Sequence, residues 1–229
     1  MTTRREIIKA GAGLTAILAA GKAPAHLVRS MLGGRNALMA GKRLPYDAEV
    51  EYLESTGTQW IDTGIRPAST TKAVVDTAFT SGSVLGAIVS SNYSTWFCFT
   101  GGTATTVRYY YGGVSNYDYT IDKTMRHVYG ISKDFEIDGA VVYTSSNTLT
   151  TGTQNIYAFG RINNGNPNDL LRGKIFSLKI YDGDDLVRDF IPVRVCTVGY
   201  LYDRVTRKLF GNAGTGDFEI GPDIAAPAA

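Results

Sequence analysis

The sequence predicts an all-β fold, two antiparallel sheets stacked as a sandwich or jelly roll, behind a short basic N-terminal arm. Three observations carry this prediction. Short strand-like runs recur after Tyr46, with turn residues every 8 to 12 or so positions. Gly (26) and Tyr (14) far outnumber Met (4), a balance that suits tight turns and half-buried pleated surfaces. No stretch beyond residue 46 shows the three-to-four spacing of an amphipathic helix.

The arm comes first. Residues 1–43 hold Arg4, Arg5, Lys9, Lys22, Arg29, Arg35, Lys42 and Arg43 against Glu6 alone, a charge of +7. The remainder holds 15 basic and 20 acidic residues, a charge of −5, so the two parts have different jobs. Within residues 1–25, Thr3-Arg4-Arg5-Glu6-Ile7-Ile8-Lys9 resembles a twin-arginine export signal, with isoleucine where that motif usually has phenylalanine. A weak apolar core (residues 10–20) and Ala23-Pro24-Ala25, small enough for cleavage, follow. The expected destination is the periplasm, cell surface or exterior. The alternative is a retained arm that embeds the chain in a virion or surface assembly. Residues 26–45 read as a linker, broken by Gly33-Gly34 and closed by Pro45.

The main domain is expected over 46–222, with 223–229 as a tail. Strands are expected at 50–53, 59–65, 71–80, 84–89, 95–100, 106–111, 127–132, 134–137, 141–144, 154–161, 198–202 and 209–210. Each is a β-branched or aromatic run between Gly, Ser, Thr, Asn or Asp clusters. The strongest signal is a hairpin over 171–193. Alternation puts Phe176, Leu178 and Ile180 on one face and Ser177, Lys179 and Tyr181 on the other. Asp182-Gly183-Asp184-Asp185 supplies the turn, and Pro192, lacking an N–H, is expected at an edge or the end of pairing.

Charge and composition exclude several functions. A mildly acidic domain lacks the basic footprint that nucleic acid demands. No apolar run reaches the ~20 residues of a transmembrane helix. Cys98 and Cys196 match no metal spacing; they are expected as two buried thiols, with a disulfide the alternative if the chain is exported. His127 is the domain's lone candidate base, and no Gly-x-Ser-x-Gly elbow accompanies it.

Several blocks resemble concanavalin A-like, laminin G-like jelly-roll domains of bacterial and phage proteins. They are Glu51-Tyr52-Leu53-Glu54-Ser55-Thr56-Gly57-Thr58-Gln59-Trp60-Ile61-Asp62-Thr63-Gly64, the stretch 172–181, Asp189-Phe190-Ile191-Pro192-Val193, the stretch 199–206 and Gly214-Thr215-Gly216-Asp217-Phe218. Together they span roughly 46–222. Glu136-Ile137-Asp138-Gly139 sits where such domains carry an Asp-Gly hairpin. The fold's glucanase relatives use Glu-x-Asp-x-x-Glu, and here the second glutamate is missing, so a non-enzymatic role is expected. The resemblance also implies calcium as a possible ion. Asp182, Asp184 and Asp185 cluster, as do Asn163, Asn164, Asn166, Asn168 and Asp169, though neither set is spaced as ligands, and solvated turns explain them better. Sugar binding needs flat rings beside short polar groups. Tyr93, Trp96, Tyr109, Tyr110, Tyr111, Tyr117 and Tyr119 are the candidates, with one face of 109–111 exposed; packing in the core or on a neighbouring subunit is the equal alternative. The expected partner is therefore a glycan or a protein surface, with a homo-oligomer as a further option.

Overall fold

A computed structural model describes residues 44–89, 93–113 and 116–224. The signal-like segment, nearly all of the linker and the last five residues lie outside the described residues. Among those described, the first sheet has eleven strands. Its path runs Ala140–Thr144, Asp134–Ile137, His127–Ile131, Thr71–Ser81, Arg172–Asp182, Asp185–Val195, Val198–Asp203, Lys208–Phe210. Leu53–Thr56, flanked by Glu219–Ile220, pairs with the start of Arg172–Asp182, and Ala48–Glu49 pairs with Asp185–Val195. The second sheet runs Asn166–Asn168, Arg161–Asn163, Ser83–Ile88, Phe97–Gly101, Thr106–Tyr111, Asn116–Thr120, with Tyr157–Ala158 and Ile61–Asp62 attached. Among the described strands pairing is antiparallel except where Arg161–Asn163 meets Ser83–Ile88 in parallel, and an isolated parallel bridge joins Ser83 to Leu170. Helix among the described residues is confined to the 3-10 turn Tyr93–Thr95, and no described helix is long and apolar enough to cross a membrane.

The core lies between the sheets. Thr71–Ser81 alternates as expected, burying Ala73, Val75, Thr77 and Phe79. From the other sheet come Phe97, Phe99, Val107, Tyr109 and Tyr111. Phe99 sits 4.5 Å from Tyr129 and 5.9 Å from Phe79, and Tyr109 stacks on Phe135 at 5.0 Å. Each fully buried large apolar ring stabilises the fold by roughly 2–3 kcal/mol. Two of the buried tyrosines have their hydroxyls satisfied by backbone: Tyr109 donates to the carbonyls of Ser132 and Lys133, Tyr111 to that of Ser69.

Three local expectations are corrected. Phe176 is not on the buried face. A bulge between Ile175 and Ser177 shifts the register, so Ile175 joins Leu178 and Ile180 inside while Phe176 turns outward, half-buried. Pro192 is not at an end. It sits inside Asp185–Val195, opposite Leu201, and its carbonyl accepts from Val50 N. Its donor-less side faces that short flanking segment, where little ladder is lost. Cys196 is exposed at the turn after Val195, Cys98 is buried, and the two are free. Other strands move or divide. The 154–161 run splits at Phe159, whose φ is +62°, and Asn116–Thr120 is an additional strand.

Two hairpins follow local turn chemistry. Asp138-Gly139 and Asn164-Gly165 each close a two-residue loop with φ positive at both positions, the type I′ geometry that Asp-Gly and Asn-Gly favour. Pairing at the C-terminal side continues through Asp223 and Ile224: Asp223 bridges Val50 and pairs with Arg194 at 2.6 Å.

Candidate functional site

The aromatic set divides. Tyr109 and Tyr111 are 1% and 2% exposed and belong to the core, which removes them as contacts for a surface ligand. Tyr117 and Tyr119 are half-buried and pack against the core's rim, where Tyr117 stacks on Tyr143 at 4.2 Å. Tyr93 lies in the 3-10 turn, its side chain outside the described residues. Trp96 and Tyr110 come together on the outer face of the second sheet, ring centroids 5.3 Å apart and edge to face. Strand alternation forces this division: burying Val107, Tyr109 and Tyr111 turns Arg108 and Tyr110 outward. The Trp96 indole is held by its Nε1–H, which donates to the Val89 carbonyl at 2.9 Å.

Beside this pair lies a bidentate ion pair. Arg108 Nε and Nη2 donate to Asp118 Oδ1 and Oδ2 at 2.7 and 2.8 Å across neighbouring strands. The hydrogen bond from Arg108 holds the Asp118 carboxyl below the usual range. Asp118, chiefly, and the Tyr110 hydroxyl hold the guanidinium even more firmly charged. Sequence reasoning missed this pair because the Asn116–Thr120 strand went unrecognised. Its signal was Tyr117 and Tyr119 alternating with Asp118 and Thr120.

Across the same face sits a second polar group. Gly86, Cys98 and Tyr110 stand in register on three adjacent strands, and Arg161 lies on the next strand beyond Gly86. Three strand spacings separate Arg161 from Tyr110, roughly 14 Å. Arg161 Nε and Nη2 donate to Asn168 Oδ1, and Asp169 Oδ2 accepts from Ser83 Oγ at 2.7 Å and Thr100 Oγ1 at 2.9 Å. Burial pushes the Cys98 thiol up to about 11, against the opposing pull of Arg161. The Asn164-Gly165 dipeptide, a hairpin signal, would have placed Asn168 and Asp169 here.

The remaining sequence candidates fall elsewhere. Glu136 is on the outer face of the first sheet, paired with Lys72 Nζ at 2.8 Å. His127 Nδ1 lies 2.8 Å from Asp138 Oδ2, and Asp138 also accepts from Val128 N, which with the histidine holds its carboxyl low. Among the described residues no hydroxyl bonds His127. Asp182, Asp184 and Asp185 are exposed at the 171–193 hairpin's turn, with Asp182 accepting from Thr70 Oγ1. Among the described residues no three His, Cys, Asp or Glu side chains converge as a metal site would require.

No protein-family model matches the chain, and no curated protein matches it in sequence. Solved structures do. One, from Bacteroides ovatus and described as a candidate carbohydrate-binding protein, aligns with a TM-score of 0.52 at 10% identity, covering 79% of this chain and 62% of that one. The chain thus spans less than two thirds of that protein's length. A heptameric SAP-like pentraxin from Limulus polyphemus aligns with a TM-score of 0.37 at 11% identity, over 62% of this chain and 73% of that one. At such identities the likeness speaks to fold alone, and the fold it fits is the concanavalin A-like sandwich that the sequence blocks imply.

Proposed function

We propose that the chain is a non-catalytic binding module that takes carbohydrate, or a glycan-bearing surface, on the outer face of its second sheet. The observation that carries this is the Trp96–Tyr110 pair beside the Arg108–Asp118 bridge. A pyranose has one apolar face and a rim of hydroxyls. It needs a ring to lie on and fixed donors and acceptors at the edge, and this arrangement offers both. The carbohydrate description of the Bacteroides neighbour agrees with this reading at the level of fold. The non-catalytic part is supported by the engagement of Glu136 with Lys72 and of Asp138 in a hairpin turn.

A neutral-oligosaccharide array, followed by titration of the best ligand, tests the reading. Tyr110→Ala is expected to weaken binding about five- to tenfold, the size of one lost ring contact, with the fold unchanged. No saturable binding, or equal binding by the variant, removes the proposal. Export is part of the same reading and rests on the twin-arginine-like segment; N-terminal sequencing of the mature chain should find His26. The +7 charge of residues 1–43 favours one other reading, a subunit held in an assembly by a retained arm. That reading expects Met1 near the mature N-terminus and ordered homo-oligomers in native mass spectrometry.

A further inference from the structure

We infer that the outer face of the first sheet carries a second ligand site, separate from the aromatic face, that takes the carboxylate of an acidic oligosaccharide through Arg172. The site is a cleft of about 350 Å³ where Leu53–Thr56, Arg172–Asp182 and Thr71–Ser81 run side by side. That volume falls in the range of small-molecule clefts. Its charges do not balance. Glu54 and Lys174 neutralise each other at 3.6 Å, and Lys174 further lies over the Tyr52 ring at 4.1 Å. Arg172, exposed at the same cleft, forms no hydrogen bond or ion pair through its guanidinium among the described residues. One net positive charge therefore faces the cleft without a counter-ion.

Local sequence builds this arrangement. Gly57 leaves open the space in which Arg172 lies: a Cβ there would meet the guanidinium carbon at 3.1 Å. Gly173 lets the strands close beneath the cleft, because a side chain there would strike Phe79 Cβ at 2.4 Å and the Ala78 carbonyl at 2.6 Å. The hydroxyls at the rim are already committed as donors. Thr80 Oγ1 donates to the Arg172 carbonyl and Thr124 Oγ1 to Asp122 Oδ1. Their remaining lone pairs can only accept, which suits the hydroxyl protons of a sugar. The free guanidinium offers a planar fork that matches a carboxylate through two parallel hydrogen bonds. A donor fork beside acceptor hydroxyls describes a uronic acid better than a neutral sugar.

Calorimetric titration of the full chain with trigalacturonic acid, its methyl ester and sodium sulfate tests this. The acid should saturate at one site, and the methyl ester should bind at least about tenfold more weakly, as expected for losing a charge-assisted pair. Arg172→Gln keeps a polar, uncharged side chain at the position and removes both the charge and the guanidinium fork, and should cut acid binding by a similar factor without moving the melting temperature. Arg172→Lys should recover only part, since a point charge lacks the fork. Tyr110→Ala should leave acid binding unchanged, which separates this site from the aromatic face whatever the fate of neutral-sugar binding there. Equal affinity for acid and ester, full binding by Arg172→Gln, sulfate binding as tight as the acid, or loss of acid binding on Tyr110→Ala would each overturn the assignment.

Discussion

Tyr129 and Asp203 are both fully buried, yet they stand in opposite positions. Among the described residues the Tyr129 hydroxyl has no hydrogen-bond partner, whereas Asp203 is crowded with them. Asp203 Oδ1 accepts from Asp189 N and Val205 N, and Oδ2 from Thr206 N and Thr206 Oγ1. Arg188 Nε lies 3.7 Å from the same carboxylate. A buried group without a partner bears its desolvation cost alone, whereas removing a shared acceptor strands every donor around it. Tyr129→Phe should therefore raise stability by ~1 kcal/mol in urea unfolding, and Asp203→Ala should lower it by ~3 kcal/mol. A destabilised Tyr129→Phe would mean that the hydroxyl has a partner; a near-neutral Asp203→Ala would mean that the turn holds without its carboxylate.

At the scale of the strand, the bulge at Phe176 decides which face does what. Without it, Phe176 would bury and Ile175 would face water. With it, Phe176 lies under the Arg126 guanidinium at 3.9 Å and meets Tyr52 edge to face at 5.6 Å. Arg126 in turn grips Asp76 with two bonds of 2.8 and 2.7 Å. The bulge thus converts one core position into part of a cation–aromatic strip on the outer face. Close approach of the strands continues at Gly173, where the ladder shifts register again. Gly173→Val should cost ~3 kcal/mol or more, because the clash is with backbone and with Phe79 Cβ rather than with a flexible tip. Chemical denaturation measures it; a loss below ~1 kcal/mol would show that the two strands can part cheaply.

For the whole molecule, pH dependence follows from groups scattered over its surface and core. Asp118 is held low by Arg108, Asp138 by Val128 N and His127, and Asp223 by Arg194. A carboxyl depressed in the fold stabilises it above the ordinary value of 3.8, and that contribution is lost as pH falls through the lower folded value. At the other end, burial pushes Cys98 up to about 11, and burial with the Glu49 hydrogen bond pushes Tyr46 up to about 12. Groups raised in this way stabilise the fold below their ordinary values of 9.0 and 10.0, and the contribution fades as pH rises toward the folded values. The urea midpoint should accordingly be flat from about pH 5 to pH 8 and fall on both sides. The acid limb should be shallow and weaken in high salt, since those carboxylates are largely exposed. A midpoint constant down to about pH 2 would contradict these assignments.

Alternation and turn chemistry alone determined that this chain makes β strands, roughly where they lie and that they stack in two layers, because both signals act over two to four neighbouring residues. Thr71–Ser81, Thr106–Tyr111 and Asp134–Ile137 were legible for that reason. Phe176 and Pro192 were not, because a bulge and a short flanking strand depend on partners far away in sequence. The same holds for the sites. Sequence could say that Tyr109 and Tyr110 face opposite ways, but only the packed sandwich decides which is inside, since that turns on which face finds Phe135. Arg172 was an ordinary hairpin residue until the tertiary structure set it against Gly57, 115 positions earlier, and left its charge without a partner among the described residues. Side-chain direction is a local property, but burial and unmatched charge arise only when distant strands meet.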